Sequence, residues 1–398
     1  MFRKQINSIR EILKSTEPMD SFKIQINVLR ILGGFHDPDA NKYFKHLTIF
    51  PIILILKLCT MSVIHLLSHS VSLEEKLQGS FTSNTSLLCC IKLYYMRKNS
   101  LKLFDLVKSL KHRINPVNEY EMKLMQKGAI YPTALSYILL QSAILFSCVI
   151  YAFFPIGKSN YGKPLPVYAW YPRYFSEGNP YTAVYILQEM SIICAGSLWV
   201  CVDTIDFGLL AQHNVMLKIL SRRIADVGWT GSQNRGPDYN ENNHQLLCEC
   251  VKYHVEITNY QSETNEIYGS ILFSKITFSV IIVCSFVYSL TLEGHDFGSL
   301  VCQLTIFGVI ISTLFVLSWM SEQISATSDN LLNKAVECNF QCMDRRTTKT
   351  LFILMQGLSR TVHIEVGSVF QIVLSLNMFV NIMNFSYKCL ALLKTIEV

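Results

Sequence analysis

Long apolar stretches alternate with polar connections along the chain. Three of these stretches contain no charged residue: Ile130–Phe154, Phe297–Ser321 and Val366–Tyr387. A helix that crosses the hydrocarbon core of a bilayer needs roughly 20 mostly apolar residues. Each of the three stretches therefore predicts a transmembrane helix.

Four weaker stretches complete the pattern. Ile276–Leu292 is uncharged between Lys275 and Glu293, and its apolar pattern extends back past Lys275. The other three contain charged residues and are Leu47–His69 with Lys57, Gly79–Met96 with Lys92, and Tyr181–Phe207 with Glu189, Asp203 and Asp206. The pattern predicts an all-α, polytopic membrane protein with seven transmembrane helices.

Charged side chains within these spans are costly in lipid and usually face protein or water. Lys57 and Glu189 fall near the middle of the membrane. A helix–helix ion pair and a role in ligand binding or permeation both remain open for these two residues. Asp203 and Asp206 fall close to the level of Lys275, which favours a structural ion pair.

The distribution of Lys and Arg predicts the orientation of the spans. The N-terminal arm carries Arg3, Lys4, Arg10, Lys14, Lys23, Arg30, Lys42 and Lys45, and the connections after spans two, four and six are also basic. The connections after spans one, three and five are poor in basic residues. Basic connections stay in the cytoplasm, so we expect a cytoplasmic N-terminus and an extracellular C-terminus. The charged N-terminal arm has no apolar signal core, so the first span is expected to direct insertion.

Composition supports a membrane protein. The 398 residues are 50% hydrophobic and 16% charged, with a mean hydropathy of +0.29, whereas soluble domains carry about 25% charged residues. The net charge of +6 is accounted for by the basic cytoplasmic connections, and we expect no nucleic-acid partner.

Candidate catalytic and metal-binding motifs are weak. His244, Cys248, Cys250 and His254 resemble metal-ligand spacing, but on one helix they fall on separate faces. The sequence has no G-x-S-x-G, H-E-x-x-H or Walker glycine motif. We therefore predict no metal, no cofactor and no enzymatic activity, and we expect the 13 cysteines to be free thiols.

The connections predict how the chain is divided. We expect a cytoplasmic N-terminal arm (1–45), spans one to six (46–325), a cytoplasmic anchor segment (326–364), and a last helix with a short extracellular tail (365–398). Helical extensions on the cytoplasmic side are expected at about 97–129 and 210–268, and an extracellular aromatic loop at 156–180. Leu351, Leu354 and Leu358 share one helical face, and a break near 365–367 splits the last helix into a cytoplasmic part and a pore-lining part.

The aromatic loop contains the unusual stretch PVYAWYPRYFSEGNPY, residues 166–181. Proline restricts the backbone, and Trp and Tyr favour the membrane interface. We expect Trp170, Tyr171 and Pro172 to form a rigid extracellular lid over the bundle. The alternative is an aromatic belt with no pocket beneath it.

The predicted orientation is inverted relative to G-protein-coupled receptors, which excludes that class. The chain instead resembles the insect odorant receptors. The resemblance rests on seven spans with a cytoplasmic N-terminus, on AWYP at 169–172, on NPYTAVYILQ opening span four, and on the tail from Arg345 to Leu393. One departure is Val336 and Phe340, where the family usually has Tyr and Trp.

The resemblance implies a tuning subunit of a ligand-gated, non-selective cation channel in the plasma membrane of a sensory neuron dendrite. A co-receptor subunit would complete a heteromeric tetramer whose pore is lined by the last helices, with membrane lipid around it. A small volatile organic odorant would bind in the outer half of each subunit. The alternatives are a gustatory-type receptor channel subunit and, further away, a membrane transporter or enzyme.

Helix geometry and the resemblance together predict the ligand site. Spans two, three, four and six each offer residues on one face. The predicted ligand-binding residues are Thr85, Leu88, Gln141, Leu145, Cys148, Glu189, Met190, Ile193, Leu304 and Phe307. Such a site is mostly apolar and suits esters, alcohols or hydrocarbons, which it would recognise by shape and dispersion.

The end of the last span is the predicted gate. Tyr387, Leu390, Leu393 and Lys394 lie near the extracellular mouth. An apolar ring at a constriction blocks ions by dewetting, and the resemblance assigns such a ring to Leu390. Lys394 is unusual there, because a cation opposes cation conduction unless it is paired or faces headgroups. The alternative for these residues is lipid contact or ordinary packing.

Overall fold

The protein folds as a bundle of long helices. A computed structural model describes residues 17–35, 46–68, 73–114, 116–153, 155, 157–227, 237–289, 297–338, 343–360, 362–366 and 372–396. After a 3-10 turn at Pro18–Phe22, the helices are α1 Lys23–Ile31, α2 Ile49–Leu67, α3 Leu73–Lys98, α4 Ser100–Ile114, α5 Glu119–Met125, α6 Tyr131–Phe153, α7 Gly178–Asp226, α8 Pro237–Ser289, α9 Phe297–Val336, α10 Arg345–Leu358 and α11 Leu376–Ile396.

The seven predicted spans correspond to α2, α3, α6, α7, α8, α9 and α11. Within the described residues, five helices are long and apolar enough to cross a membrane by length and composition, namely α2, the α5–α6 segment, α7, α8 and α9. Helices α3 and α11, of 26 and 21 residues, lie at the positions of the predicted second and seventh spans. The last span begins at Leu376 and not at Val366, because Glu365–Val366 (β3) pairs antiparallel with Ile372–Val373 (β4).

The helices at one end extend beyond the predicted spans. Helix α7 continues to Asp226, and α8 begins at Pro237, so both are about twice as long as a bilayer requires. At this end Arg223 pairs with Glu121 at 2.9 Å, and Arg113 pairs with Glu263 at 2.8 Å. We call it the inner end, since the sequence predicts it to be cytoplasmic, and the opposite end the outer end.

Helix α7 is the centre of the bundle. It packs against α2, α3, α6, α8 and α9, and every residue from Ser197 to Leu217 is buried. A helix that is buried on all sides can carry polar groups only if the neighbouring helices supply partners. This explains how a span with two aspartates is accommodated.

Asp203 of α7 joins three spans through buried ion pairs. Its Oδ1 lies 2.6 Å from Lys92 Nζ of α3, and its Oδ2 lies 3.0 Å from Lys275 Nζ of α8. All three side chains are buried. Asp206, one turn along α7, is buried beside them and attracts Lys275 electrostatically. The expected structural pair between α7 and Lys275 is present, and Lys92 is a second cation in the same cluster.

The loop after α6 forms a small folded cap at the outer end. Gly157–Lys158 (β1) pairs antiparallel with Pro164–Leu165 (β2), and Gly162 in the turn has φ +75°, a conformation that favours glycine. A Cβ at Gly157 would lie 2.0 Å from the carbonyl carbon of Val167. Glycine at this position therefore allows the hairpin to pack against the segment that covers the bundle.

The segment between α9 and α11 contains the amphipathic helix α10. Asp344 is the N-cap of helix α10, and its Oδ1 accepts a hydrogen bond from the Thr347 N–H at 3.0 Å. The Thr347 side chain and, to a smaller extent, its backbone N–H lower the pKa of Asp344 because they favour the carboxylate. Leu351, Leu354 and Leu358 are buried on one face, which confirms the predicted amphipathic helix.

Replacing Asp203 tests the structural role of the buried cluster. Asp203→Asn removes the carboxylate and leaves two buried ammonium groups side by side. Removing one partner of a buried ion pair costs about 3–5 kcal/mol. We expect a large loss of folded protein in membranes and a lower melting temperature in detergent, measured by fluorescence-detected size-exclusion chromatography after heating.

The exposed Asp105 of α4 provides the matched control, and Asp105→Asn is expected to leave the melting temperature unchanged. The triple substitution Lys92→Met, Asp203→Leu, Lys275→Met removes all three charges together and should recover much of the lost stability. A melting temperature for Asp203→Asn equal to that of the wild type would contradict the assigned role.

Candidate functional site

A cavity of about 100 Å³ lies between spans two, three, four and six in the outer half of the bundle. Span one and the loop after α6 complete its wall. Its lining residues include Leu58, Phe81, Thr85, Ser86, Cys89, Ile144, Ser147, Cys148, Tyr151, Val167, Ile192, Gly196, Trp199, Ile306, Val309 and Ile310. None of the described lining residues is charged, so the cavity suits an uncharged ligand.

Three hydroxyl groups in the wall, those of Thr85, Ser86 and Ser147, are already engaged by the helices that carry them. Thr85 Oγ1 donates to the Phe81 carbonyl at 2.9 Å, Ser86 Oγ to the Ser83 carbonyl at 2.9 Å, and Ser147 Oγ to the Ala143 carbonyl at 3.0 Å. Their hydrogens point back to the backbone, which leaves mainly carbon on the cavity surface. Engineered apolar cavities of 150 Å³ bind benzene, so a ligand here is a compact molecule with a similar ring or a short chain.

The loop after α6 forms the roof of the cavity. Val167 reaches the cavity itself, and its carbonyl accepts a hydrogen bond from Gln188 Nε2 of α7 at 3.0 Å. The Trp170 N–H donates to the Met61 carbonyl of α2 at 3.1 Å. These two bonds attach the roof to α7 and α2.

The three predicted lid residues lie beside the roof and do not line the cavity. Tyr171 is buried against α7, and Lys57 Nζ of α2 lies 5.4 Å from the centre of its ring. Burial raises the pKa of Tyr171 to about 12, so its phenol is neutral at physiological pH. Trp170 is half-buried and Pro172 is exposed. The loop covers the cavity mainly through Val167, which the aromatic pattern did not single out.

Two predicted ligand-binding residues, Thr85 and Cys148, line the cavity. Leu88 and Phe307 lie in the adjoining apolar cluster, where the Phe307 and Phe286 rings stack with centroids 3.9 Å apart. Gln141 lies to one side, and its Nε2 donates to Ser197 Oγ at 3.0 Å. The structure therefore brings these five residues to the cavity or its immediate surroundings.

Four predicted residues point away from the cavity: Leu145, Met190, Ile193 and Leu304. Leu145 and Leu304, for example, are 43% and 46% exposed. The cavity instead takes Ile144, Ile192 and Ile306, which are next or near neighbours in sequence. Each residue along a helix is rotated by about 100° from the one before it. A prediction that is displaced by one residue therefore selects an outward-facing side chain in place of a lining one.

Glu189 and Lys57 do not pair with each other. Glu189 is half-buried, and its Oε1 has no hydrogen-bond partner among the described residues. Lys57 instead faces the Tyr171 ring. Of the two alternatives left open by the sequence, the structure does not support the ion pair.

The predicted gate residues belong to α11. Tyr387 is 72% exposed. Leu390, Leu393 and Lys394 lie within the helix Leu376–Ile396, but their side chains are outside the described part of the structure.

Gly196 and Trp199 are among the cavity residues that the sequence did not identify. At Gly196 a Cβ would lie 2.6 Å from Ile144 Cγ2, so glycine allows α6 and α7 to approach closely. Trp199 provides a large aromatic wall. The small residues at 194–197 (CAGS) are the signal that could have identified Gly196, because small residues mark close helix contacts in membranes.

Comparisons with known proteins agree on one family. The sequence profile described as 7tm Odorant receptor matches residues 72–387. Odorant receptor Or1 of Anopheles gambiae is 25% identical over 280 residues, which cover 65% of this chain and 66% of that protein. Odorant receptor 49a of Drosophila melanogaster is 21% identical over 318 residues, 76% of each chain. The matched region thus spans just under two thirds of Or1 and about three quarters of receptor 49a. These relatives are receptors and not enzymes.

Two solved structures share the fold. The insect olfactory receptor OR5 from Machilis hrabei in complex with eugenol has a TM-score of 0.79 at 17% identity, covering 94% of this chain and 97% of that one. A second structure of OR5 from Machilis hrabei has a TM-score of 0.75 at 18% identity, covering 93% of this chain and 96% of that one. This likeness confirms the predicted all-α, seven-helix fold class.

Enlarging Gly196 tests whether the cavity holds ligands. Gly196→Ala places a methyl group against Ile144 and pushes that side chain into the cavity. Overpacking of this kind costs about 1–3 kcal/mol, so affinity for the larger single-ring apolar probes is expected to fall about tenfold. Binding is measured as ligand-induced thermal stabilisation of the purified protein.

Gly269→Ala is the matched control, because a Cβ there meets no atom within 4 Å. Adding Ile144→Ala to Gly196→Ala should restore binding of the larger probes. Wild-type affinity in Gly196→Ala for every probe size would show that the probes bind elsewhere.

Proposed function

Because the chain belongs to the insect odorant receptor family, we propose that it is the odour-binding subunit of a ligand-gated, non-selective cation channel. It binds a small, volatile, uncharged odorant in the cavity between spans two, three, four and six. Together with a co-receptor subunit it forms a heteromeric tetramer in the plasma membrane of a sensory neuron dendrite, and odorant binding opens the shared pore.

The observation that carries this proposal is the chemistry of the cavity. It is lined by four spans and a folded loop, its described lining is uncharged, and three of its hydroxyl groups donate to backbone carbonyls. Such a cavity favours compact apolar molecules over ions or sugars. Small size and low polarity are also the properties of a volatile compound, because such a compound must leave water readily.

The remaining surfaces support assembly in a membrane. Leu139, Phe146 and Val149 of α6 point outward, which suits contact with lipid. On the amphipathic α10, Phe352 and Ile353 are exposed on the face opposite the buried leucines. We place the contact between subunits on this helix, within the anchor segment 326–364, and the pore along α11, within 365–398.

Current recordings test the proposed function. Cells expressing the chain with an odorant co-receptor are expected to show inward cation current when exposed to a panel of volatile ketones, esters, alcohols and aromatic hydrocarbons. Cells expressing either subunit alone are expected to give no response to the same active compounds. Whole-cell recording with sodium, potassium and calcium solutions measures both the current and its selectivity.

The alternatives give different outcomes. A gustatory-type subunit would respond to involatile polar tastants instead of the volatile panel. A transporter would accumulate a labelled compound without the co-receptor and without channel current. Responses equal to those of the co-receptor alone across the volatile panel would contradict the proposed role.

Leu390 is proposed to contribute to the apolar gate near the outer end of α11. Leu390→Ser makes the constriction more polar and eases its hydration. Co-expressed with the co-receptor, the variant is expected to raise ligand-independent current severalfold, measured as the holding current that a pore blocker removes.

Leu139→Ser is the matched control, since Leu139 is exposed on the outer surface of α6. It is expected to leave basal current at the wild-type level. Unchanged basal current and unchanged reversal potentials in Leu390→Ser channels at the cell surface would remove Leu390 from the pore.

A further inference from the structure

Trp199 is the polar group that the apolar cavity leaves unexplained. Its ring forms part of the wall and is 7% exposed. Its Nε1–H has no hydrogen-bond partner among the described residues. A buried donor without a partner costs about 1–3 kcal/mol, and buried tryptophans usually find an acceptor.

The ring is held rigidly from one side by the buried ion cluster. Lys92 Nζ lies 3.8 Å from the centre of the Trp199 ring while it pairs with Asp203. Asp203 follows Trp199 by one helical turn, so both occupy the same face of α7. Leu88 and Phe286 pack in the same cluster as the ring. These contacts fix the direction of the N–H before any ligand arrives, which lowers the entropic cost of binding.

The ammonium group beside the ring also biases the partner that the N–H attracts. Positive charge at 3.8 Å favours an acceptor with partial negative charge at the edge of the indole. The neighbouring hydroxyls of Thr85, Ser86 and Ser147 donate to their own helices and do not compete for that acceptor. A ligand that brings a carbonyl or ether oxygen would satisfy the indole N–H, whereas a hydrocarbon of the same shape leaves it unpaired.

From this geometry we infer that Trp199 is the specificity-determining hydrogen-bond donor of the odorant cavity, and that the preferred odorants are compact molecules with one acceptor oxygen, such as ketones, esters and ethers. The inference rests on the proposed odorant-gated function and narrows it, because shape and dispersion alone would not separate these compounds from hydrocarbons.

Matched ligand pairs test the inference. Acetophenone and α-methylstyrene have nearly the same shape, but acetophenone has a carbonyl oxygen where α-methylstyrene has a methylene group. In the wild-type channel with its co-receptor, the ketone is expected to be about three- to tenfold more potent than the hydrocarbon, as one net hydrogen bond predicts. Dose–response curves of evoked current give the ratio of half-maximal concentrations.

Trp199→Phe removes the N–H and keeps an aromatic ring over Lys92. It is expected to bring the potency ratio of the pair close to one, mainly by weakening the ketone. Replacing Trp199 with 3-benzothienylalanine, which has the shape of tryptophan without the N–H, should give the same ratio and separates loss of the donor from loss of volume. Trp319→Phe, at an exposed tryptophan of α9, is expected to retain the wild-type ratio.

The outcomes separate this inference from the function on which it rests. If the channel responds to both compounds and neither Trp199 substitution alters their potency ratio, the role of Trp199 is overturned and odorant gating stands. Equal potency of ketone and hydrocarbon in the wild type overturns the preferred ligand class. No response to any volatile compound overturns the proposed function itself.

Discussion

The attachment of Asp203 to Lys92 and Lys275 is the interaction on which the rest of the bundle depends. In lipid, apolar side chains gain little by leaving one apolar environment for another, so small residues and polar contacts decide how helices associate. A carboxylate at the centre of α7 that must be satisfied by cations from α3 and α8 restricts the rotation and depth of all three helices. Buried charges of this kind are tolerated because each has a partner at hydrogen-bond distance.

Helix α7 contributes to two sites at different depths in the bundle, the buried ion cluster and the apolar cavity. Towards the inner end, Asp203 and Asp206 hold the polar cluster, and one turn further out Trp199 and Gly196 form the wall of the apolar cavity. Lys92 connects the two sites, because its ammonium contacts both Asp203 and the Trp199 ring. A change in the cavity that moves Trp199 therefore acts directly on the contact that holds α3, α7 and α8 together, and α8 packs against α11.

The cavity exists because several side chains that could fill it are held elsewhere. The hydroxyls of Thr85 and Ser147 donate to backbone carbonyls, Gly196 adds no side chain, and the hydrogen bond from Gln188 to the Val167 carbonyl attaches the roof to α7. Glu189 lies nearby on α7 without a hydrogen-bond partner among the described residues.

The sequence by itself determined the class of protein and the number of spans, because hydrocarbon thickness requires long apolar runs. It also predicted that a ligand site between the spans would be mostly apolar. It also placed Thr85 and Cys148 in the cavity and a structural ion pair near Lys275. Only the tertiary structure decided which face of each helix points into the protein and which face points outward. In a soluble helix the polar side marks solvent, but in a membrane the lipid-facing and protein-facing sides are both apolar. For that reason Leu145 and Ile144, or Ile193 and Ile192, are equivalent in the sequence, and only the packing of each helix against its neighbours separates them.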